Sequence, residues 1–265
     1  MGGPVDEIRF LVASENRVRV LEYLYETPAD REELADELAV SRPTLSRVLT
    51  GLEERRWISQ HGSDCAITSS GAFLVESFRS LRAAIETMQR LEAVIDSLPI
   101  EEFDFELGRL HDATVTTPTQ TDPGAPLRRA RQLILEADEF HFLTNTVVSP
   151  LAEVLRERTV RGELTVVGVV TEELLDTVSD SPAFGDPTRE MIASGGAEFY
   201  RYDGTVSLTL GVADGTTASI TQVDQDGSQR AQIETDDEHV CSWVGSTIET
   251  YRRESERIDA GTFSQ

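Results

Sequence analysis

The chain contains no lysine: all 24 of its basic residues are arginines, set against 48 aspartates and glutamates for a formal net charge of -24 over 265 residues. An excess of that size repels anionic partners unless positive charge is gathered somewhere. It can also accompany disorder, but 39% of the residues are apolar and fall into periodic segments, so a folded protein with an acidic skin is expected. Cysteine is nearly as scarce. Cys65 and Cys241 stand far apart and outside any Cys-x-x-Cys unit, which excludes a disulfide framework and a zinc knuckle and leaves both as small hydrophobes. No apolar run approaches the roughly eighteen residues that cross a bilayer, and no apolar stretch follows a basic start. The reading is a soluble, cytoplasmic protein without a membrane partner, long enough for two modest domains.

What is present is unevenly placed. The stretch SRPTLSRVLTGLEERRW gathers Arg42, Arg47, Arg55 and Arg56 against only Glu53 and Glu54, directly after the acidic DREELADEL. Such a contrast asks for an anionic partner. The acidic surface, the missing lysine and the enrichment in Thr, Val and Asp resemble the proteome style of haloarchaea. Carboxylates hold water and cations where salt strips hydration, and at molar salt a Debye length of about 3 Å makes the self-repulsion tolerable.

In NRVRVLEYLYE, Val18, Leu21, Leu24 and Tyr25 recur at helical spacing and predict a helix over 16–26 that Pro28 stops. Asp30 is placed to cap a second helix, with Glu33 closing a capping box and Leu34, Ala35 and Leu38 as its buried stripe. After the turn AVS, Ser41 caps a third helix that tolerates Pro43 in its first turn. Leu45, Val48, Leu49 and Leu52 line one face of it; Arg42, Thr44, Ser46, Arg47 and Thr50 occupy the others. This is a helix-turn-helix pattern, and WISQH and CAIT around GSD read as a wing. LADELAVSRPTLSRVLTGLEERRWI resembles the winged helix-turn-helix regulators of archaea and bacteria, of the broad ArsR, MarR and TrmB-like type, over about 8–71. The resemblance implies double-stranded DNA as partner, with the third helix in the major groove. The candidate contacts are Ser41, Arg42, Thr44, Ser46, Arg47 and Thr50, then Arg55 and Arg56 as backbone contacts or as partners of Glu53 and Glu54, and His61 at the wing tip. His61 and Cys65 form one pair, too few for a metal sensor, so no metal is assigned.

From Gly71 no breaker occurs before Pro99. Leu74, Phe78, Leu81, Ile85 and Met88, then Leu91, Ile95 and Leu98, predict a long amphipathic connector. Phe78, Leu81, Ile85 and Met88 are its candidate homodimer seam, which would set two recognition helices one DNA turn apart; the other reading docks the helix on its own C-terminal domain. Beyond residue 100, helices and strands alternate and then give way to a run of strands, predicting a parallel sheet with antiparallel additions. The expected fold is thus α+β / α/β: a winged helix-turn-helix over 1–70, a connector over 71–99 and a sandwich-like α/β sensor domain over 100–265.

The order of these later elements resembles the phospholipase-D-like effector domains of TrmB-type archaeal regulators and the FilR-type domains joined to winged helices, with NTVVSPLAEVLRERTVRGELTVVGVV the most similar portion. Catalytic members of that fold need a His-x-Lys motif, which a lysine-free chain lacks. No Gly-rich phosphate loop, His-Glu-x-x-His or Gly-x-Ser-x-Gly is present either, so no catalytic residue or cofactor is assigned. Ligands of open α/β sheets sit at the carboxyl ends of strands. Thr144, Asn145, Thr146 and Ser149 end one strand and begin a helix; Arg201 and Tyr202 end another. They are the candidate contacts for a polar, neutral or anionic effector, or plain turn and cap residues. The expectation is a dimeric DNA-binding regulator of a halophilic archaeon that senses a small metabolite or a protein partner and is not an enzyme. The alternatives are a metabolite-processing α/β enzyme with an accessory winged helix, and a winged-helix interaction scaffold.

Overall fold

Pro4 opens the first helix, α1 (Pro4–Val12), which the Asp6 carboxylate caps by accepting from the Gly3 amide at 3.1 Å. α2 (Glu15–Glu26) follows and ends before Pro28. After the two-residue strand β1 (Ala29–Asp30), Asp30 caps α3 (Arg31–Glu37) by accepting from the amides of Glu32 and Glu33 at 2.8 and 2.9 Å. The expected capping box does not close, because the Glu33 carboxylate accepts from the Tyr23 hydroxyl instead. The turn into α4 (Arg42–Glu54) is a Schellman motif with Ala39 at φ 51°: the Ala39 amide bonds the Asp36 carbonyl and the Val40 amide bonds that of Ala35. β2 (Ile58–His61) and β3 (Asp64–Ile67) turn at Gly62 and form an antiparallel wing in the order β1-β3-β2. α5 (Ser69–Leu91) starts tight against the wing, where a Cβ at Gly71 would lie 2.0 Å from the Trp57 carbonyl oxygen. Val20, Leu21, Leu24, Leu34, Leu49 and Leu52 are the fully buried centre of this domain.

The structure describes residues 3–179, 182–223 and 229–259 of this computed structural model. The chain divides into two compact units, Met1–Ile85 and Glu86–Gln265, and the division falls inside α5. The helix predicted up to Pro99 ends at Leu91, and 3₁₀ turns at Ile95–Ser97 and Ile100–Glu102 follow. Leu91, Val94 and Leu98 are buried in the core of the second unit. Phe78, expected on a dimer seam, is half-buried against the winged-helix core beside Leu74.

The second unit is built on one eight-stranded sheet. In chain order its elements are β4 (Thr114–Thr116), α6 (Ala125–Glu136), β5 (Glu139–Thr144), α7 (Ser149–Val160), β6 (Thr165–Thr171), α8 (Glu172–Ser179), α9 (Pro182–Ala193), β7 (Ala197–Tyr202), β8 (Thr209–Ala213), β9 (Thr217–Val223), β10 (Gln229–Thr235), α10 (Glu238–Arg253) and β11 (Glu256–Ile258). The strand order is β11-β7-β6-β5-β8-β9-β10-β4. β5, β6 and β7 are parallel, as alternation with helices requires, and all other pairings are antiparallel. The β8–β9 hairpin turns on Asp214 and Gly215, both at positive φ, and the Asp214 carboxylate also accepts the amides of Asp138 and Glu139. Alternation along the strands sorts the core into two layers. Leu143, Val169, Leu210, Ile220 and Ile233 face α10, while Phe140, Val166 and Phe199 join the cluster formed with α6 to α9.

Candidate functional site

The winged-helix unit presents α4 with its apolar face buried and its polar face outward. Arg42, Ser46, Arg47 and Thr50 are all exposed on it. Arg47 makes no hydrogen bond or ion pair among the described residues. Arg42 pairs with Glu32 at 3.1 Å, but both side chains are more than 70% exposed, so water screens the pair and phosphate can replace it. The Ser41 hydroxyl donates to Thr44 Oγ1 at 3.0 Å and accepts from no backbone amide, which leaves the N-terminal amides of α4 without a side-chain cap. Uncapped amides at a helix start suit an anion. Thr50 donates to the Ser46 carbonyl at 2.9 Å and keeps its lone pairs. His61 is exposed at the wing tip.

Arg55 and Arg56, adjacent in sequence, have separate fates. Arg55 turns inward: its Nε donates to Glu7 Oε2 at 2.7 Å, its Nη1 donates to the Gly51 carbonyl, and its guanidinium sits 3.3 Å from the centroid of Phe10. Neither Glu53 nor Glu54 is its partner, and it is not a free backbone contact. Arg56 points out. It occupies the left-handed position of a second Schellman motif at φ 58°, with its amide on the Glu53 carbonyl and the Trp57 amide on that of Leu52. Arg17, on α2, lies over the other ring contact of Phe10, and burial together with the positive charges of Arg55 and Arg47 pushes its pKa down.

The second unit has a cavity of about 150 Å³, partly open to solvent, between its sheet and helices α6 to α9. Leu133, Phe140, Phe142, Leu151, Phe184 and Phe199 are among its walls, and none of the described lining residues is charged. Its sheet floor is polar: Thr144, Thr209, Ser219 and Thr221 project from β5, β8 and β9. The Thr144 hydroxyl donates to the Thr146 carbonyl and lies 3.0 Å from Thr209 Oγ1.

Residues 5–90 match the family described as the HVO_A0261 N-terminal domain, and residues 123–254 match the middle domain of the methanogenesis regulatory protein FilR1. The chain is a winged-helix protein with a FilR1-type domain. Among solved structures it is similar to TrmBL2, an archaeal chromatin protein with a novel mode of DNA binding, at 14% identity over 96% of this chain and 99% of that one, with a TM-score of 0.43. It is also similar to Nuc, a phospholipase D family member from Salmonella typhimurium, at 11% identity over 56% of this chain and 99% of that one, with a TM-score of 0.45. A third likeness is to MepR, a transcription regulator of the Staphylococcus aureus multidrug efflux pump MepA, at 25% identity over 37% and 74% of the two chains, with a TM-score of 0.30. No curated protein matches.

Within the FilR1-type domain, the six residues expected at the strand ends do not converge. Thr144 and Thr146 line the cavity. Asn145 and Ser149 are exposed, and Asn145 Nδ2 donates to the Val206 carbonyl at 3.1 Å, tying the loop after β5 to the one before β8. Arg201 is held between Glu172 at 3.3 Å and Glu256 at 2.7 Å. Tyr202 belongs to the opposite sheet face, edge-on to Tyr251 with centroids 4.7 Å apart. The apolar walls went unrecognised because they come from four helices and read in sequence as ordinary core. Among the described residues no group of three or more His, Cys, Asp or Glu is arranged to hold a metal, and no helix is long and apolar enough to cross a membrane.

Proposed function

We propose that this protein is a dimeric transcription regulator of a halophilic archaeon that reads double-stranded DNA through α4 and senses a small effector in its FilR1-type domain. The observation that carries the reading is Arg47: an exposed, unpaired arginine at the centre of a recognition-type helix, in a chain that surrounds it with acids. A bidentate contact from Arg to guanine fits that position, with Arg42, Ser46 and Thr50 beside it and the uncapped start of α4 on a phosphate. Arg56 and His61 are assigned to the DNA backbone and Arg55 to the fold. A dimer on the exposed Leu81, Ile85 and Met88 supplies the second half-site.

The test is a mobility-shift assay in molar potassium chloride with the DNA upstream of the protein's own coding sequence. Arg47→Ala is expected to weaken operator binding by about 1–3 kcal/mol per half-site and to leave random DNA nearly unaffected. Equal losses on both DNAs would remove Arg47 from base reading, and no shift by the wild type would remove the regulator reading itself.

A further inference from the structure

We propose that the cavity of the FilR1-type domain binds an uncharged aromatic molecule carrying one hydrogen-bonding group, of the phenol or indole class. The inference rests on the reading of this domain as the sensing unit and names what it senses. Size sets the first limit. The cavity offers about 150 Å³, room for one benzene-sized ring.

Charge sets the second. The chain holds 72 Asp, Glu and Arg residues, yet none of the described ones lines the cavity, so among the described residues a carboxylate or an amine would find no counter-charge. Arg201, the nearest sequence candidate for an anion, is occupied by Glu172 and Glu256. The walls then favour a ring over a chain. Phe140, Phe142, Phe184 and Phe199 line the cavity, with Phe142 edge-on to Phe199 at 6.2 Å. Gly211 keeps the floor low beneath them, since a Cβ there would lie 2.9 Å from Phe140 Cζ.

The floor supplies the single polar anchor. Thr144 gives its proton to the Thr146 carbonyl and accepts from the Thr146 amide, so Thr209 must be the donor in the Thr144–Thr209 pair. Thr209 is left with acceptor capacity. Across the strand pair, Thr221 stands in register with Thr209. Ser219 accepts from Gln232 Nε2 at 3.3 Å and shares a hydrogen bond with Thr221 at 3.5 Å; whichever of the two hydroxyls donates in it, the other's proton is left unassigned. Gln232 itself is fully buried, and its Oε1 has no partner among the described residues. An acceptor and a donor therefore sit side by side on an otherwise apolar surface. One hydroxyl or ring N–H of a ligand satisfies them.

The test is calorimetric unfolding of the full chain in high salt, without DNA, using phenol, indole and toluene as neutral probes and benzoate and benzylamine as charged ones. Phenol and indole are expected to raise the melting temperature of the cavity-bearing unit by about 3–5 °C when present roughly tenfold above Kd, and the charged probes to leave it unchanged. Ala152→Leu and Ala130→Leu, two independent fillings of the cavity from α7 and α6, are expected to keep the fold and abolish the shift. Thr209→Val is expected to weaken phenol severalfold and toluene hardly at all. The proposal is overturned by an equal shift in both filled variants, by equal stabilisation from benzoate, or by no shift of the wild type with any neutral ring. Because no DNA is present, these outcomes leave the mobility-shift result to judge the regulator reading separately.

Discussion

Arg56 is an expensive choice for its place. The residue just past a helix C-terminus in the left-handed region is usually glycine, and an L side chain there costs roughly 1–2 kcal/mol. A cation retained at that cost is consistent with a backbone contact to DNA. Arg56→Gly is therefore expected to stabilise the winged-helix unit by about 1 kcal/mol while weakening operator and random DNA alike; calorimetry and filter binding on the two DNAs read the two effects. A variant that gains stability without losing DNA affinity would remove Arg56 from the interface. The grouping of the four arginines was legible from composition alone. Which of them turned inward was not, because the partners of Arg55, Glu7 and Phe10, lie more than forty residues earlier and meet it only in the folded unit.

At the scale of elements, hydrophobic period located nearly every helix and strand, since each buries one face. It does not say which body a given turn faces. α5 illustrates the gap: Leu74 and Phe78 lie on the winged-helix core, whereas Leu81, Ile85 and Met88 remain 52%, 47% and 60% exposed. The end of α5 was misjudged for the same reason. Residues 92–98 are compatible with a helix, but Val94 and Leu98 gain more by entering a core, and burial overrides propensity. α1 escaped notice, and it carries a second exposed row in Val5, Ile8 and Val12. Burying each large apolar side chain contributes about 1.5–3 kcal/mol, so the α5 row is expected to hold a dimer. Light scattering of the wild type should give twice 29.3 kDa, and the double variant Leu81→Glu, Ile85→Glu should give 29.3 kDa with unchanged circular dichroism. A wild-type monomer would refute the dimer.

For the whole molecule, the sequence pointed to hydroxyls at the end of β5, and only the structure shows what surrounds them. Hydroxyls after β5 suggested a polar crevice, but Thr144 lies on the sheet floor, and helices distant in sequence close over it with apolar side chains. Only the assembled domain brings those walls together. The last strand, β11, was likewise invisible as three residues, Glu256–Ile258, of no particular pattern. It pairs with β7, setting Ile258 against Phe199, and forms one border of the sheet with Glu256 and Arg257 exposed. A border strand that is short and charged denies a second molecule a template for strand addition. Cutting the chain after Arg253 would hand that border to AEFYRY, which is longer and aromatic. Such a truncated protein is expected to keep its helices yet turn cloudy and bind thioflavin T on storage while the intact chain stays clear; a truncated protein equally long-lived in solution would deny the strand this duty. A three-residue border strand would thus govern shelf life.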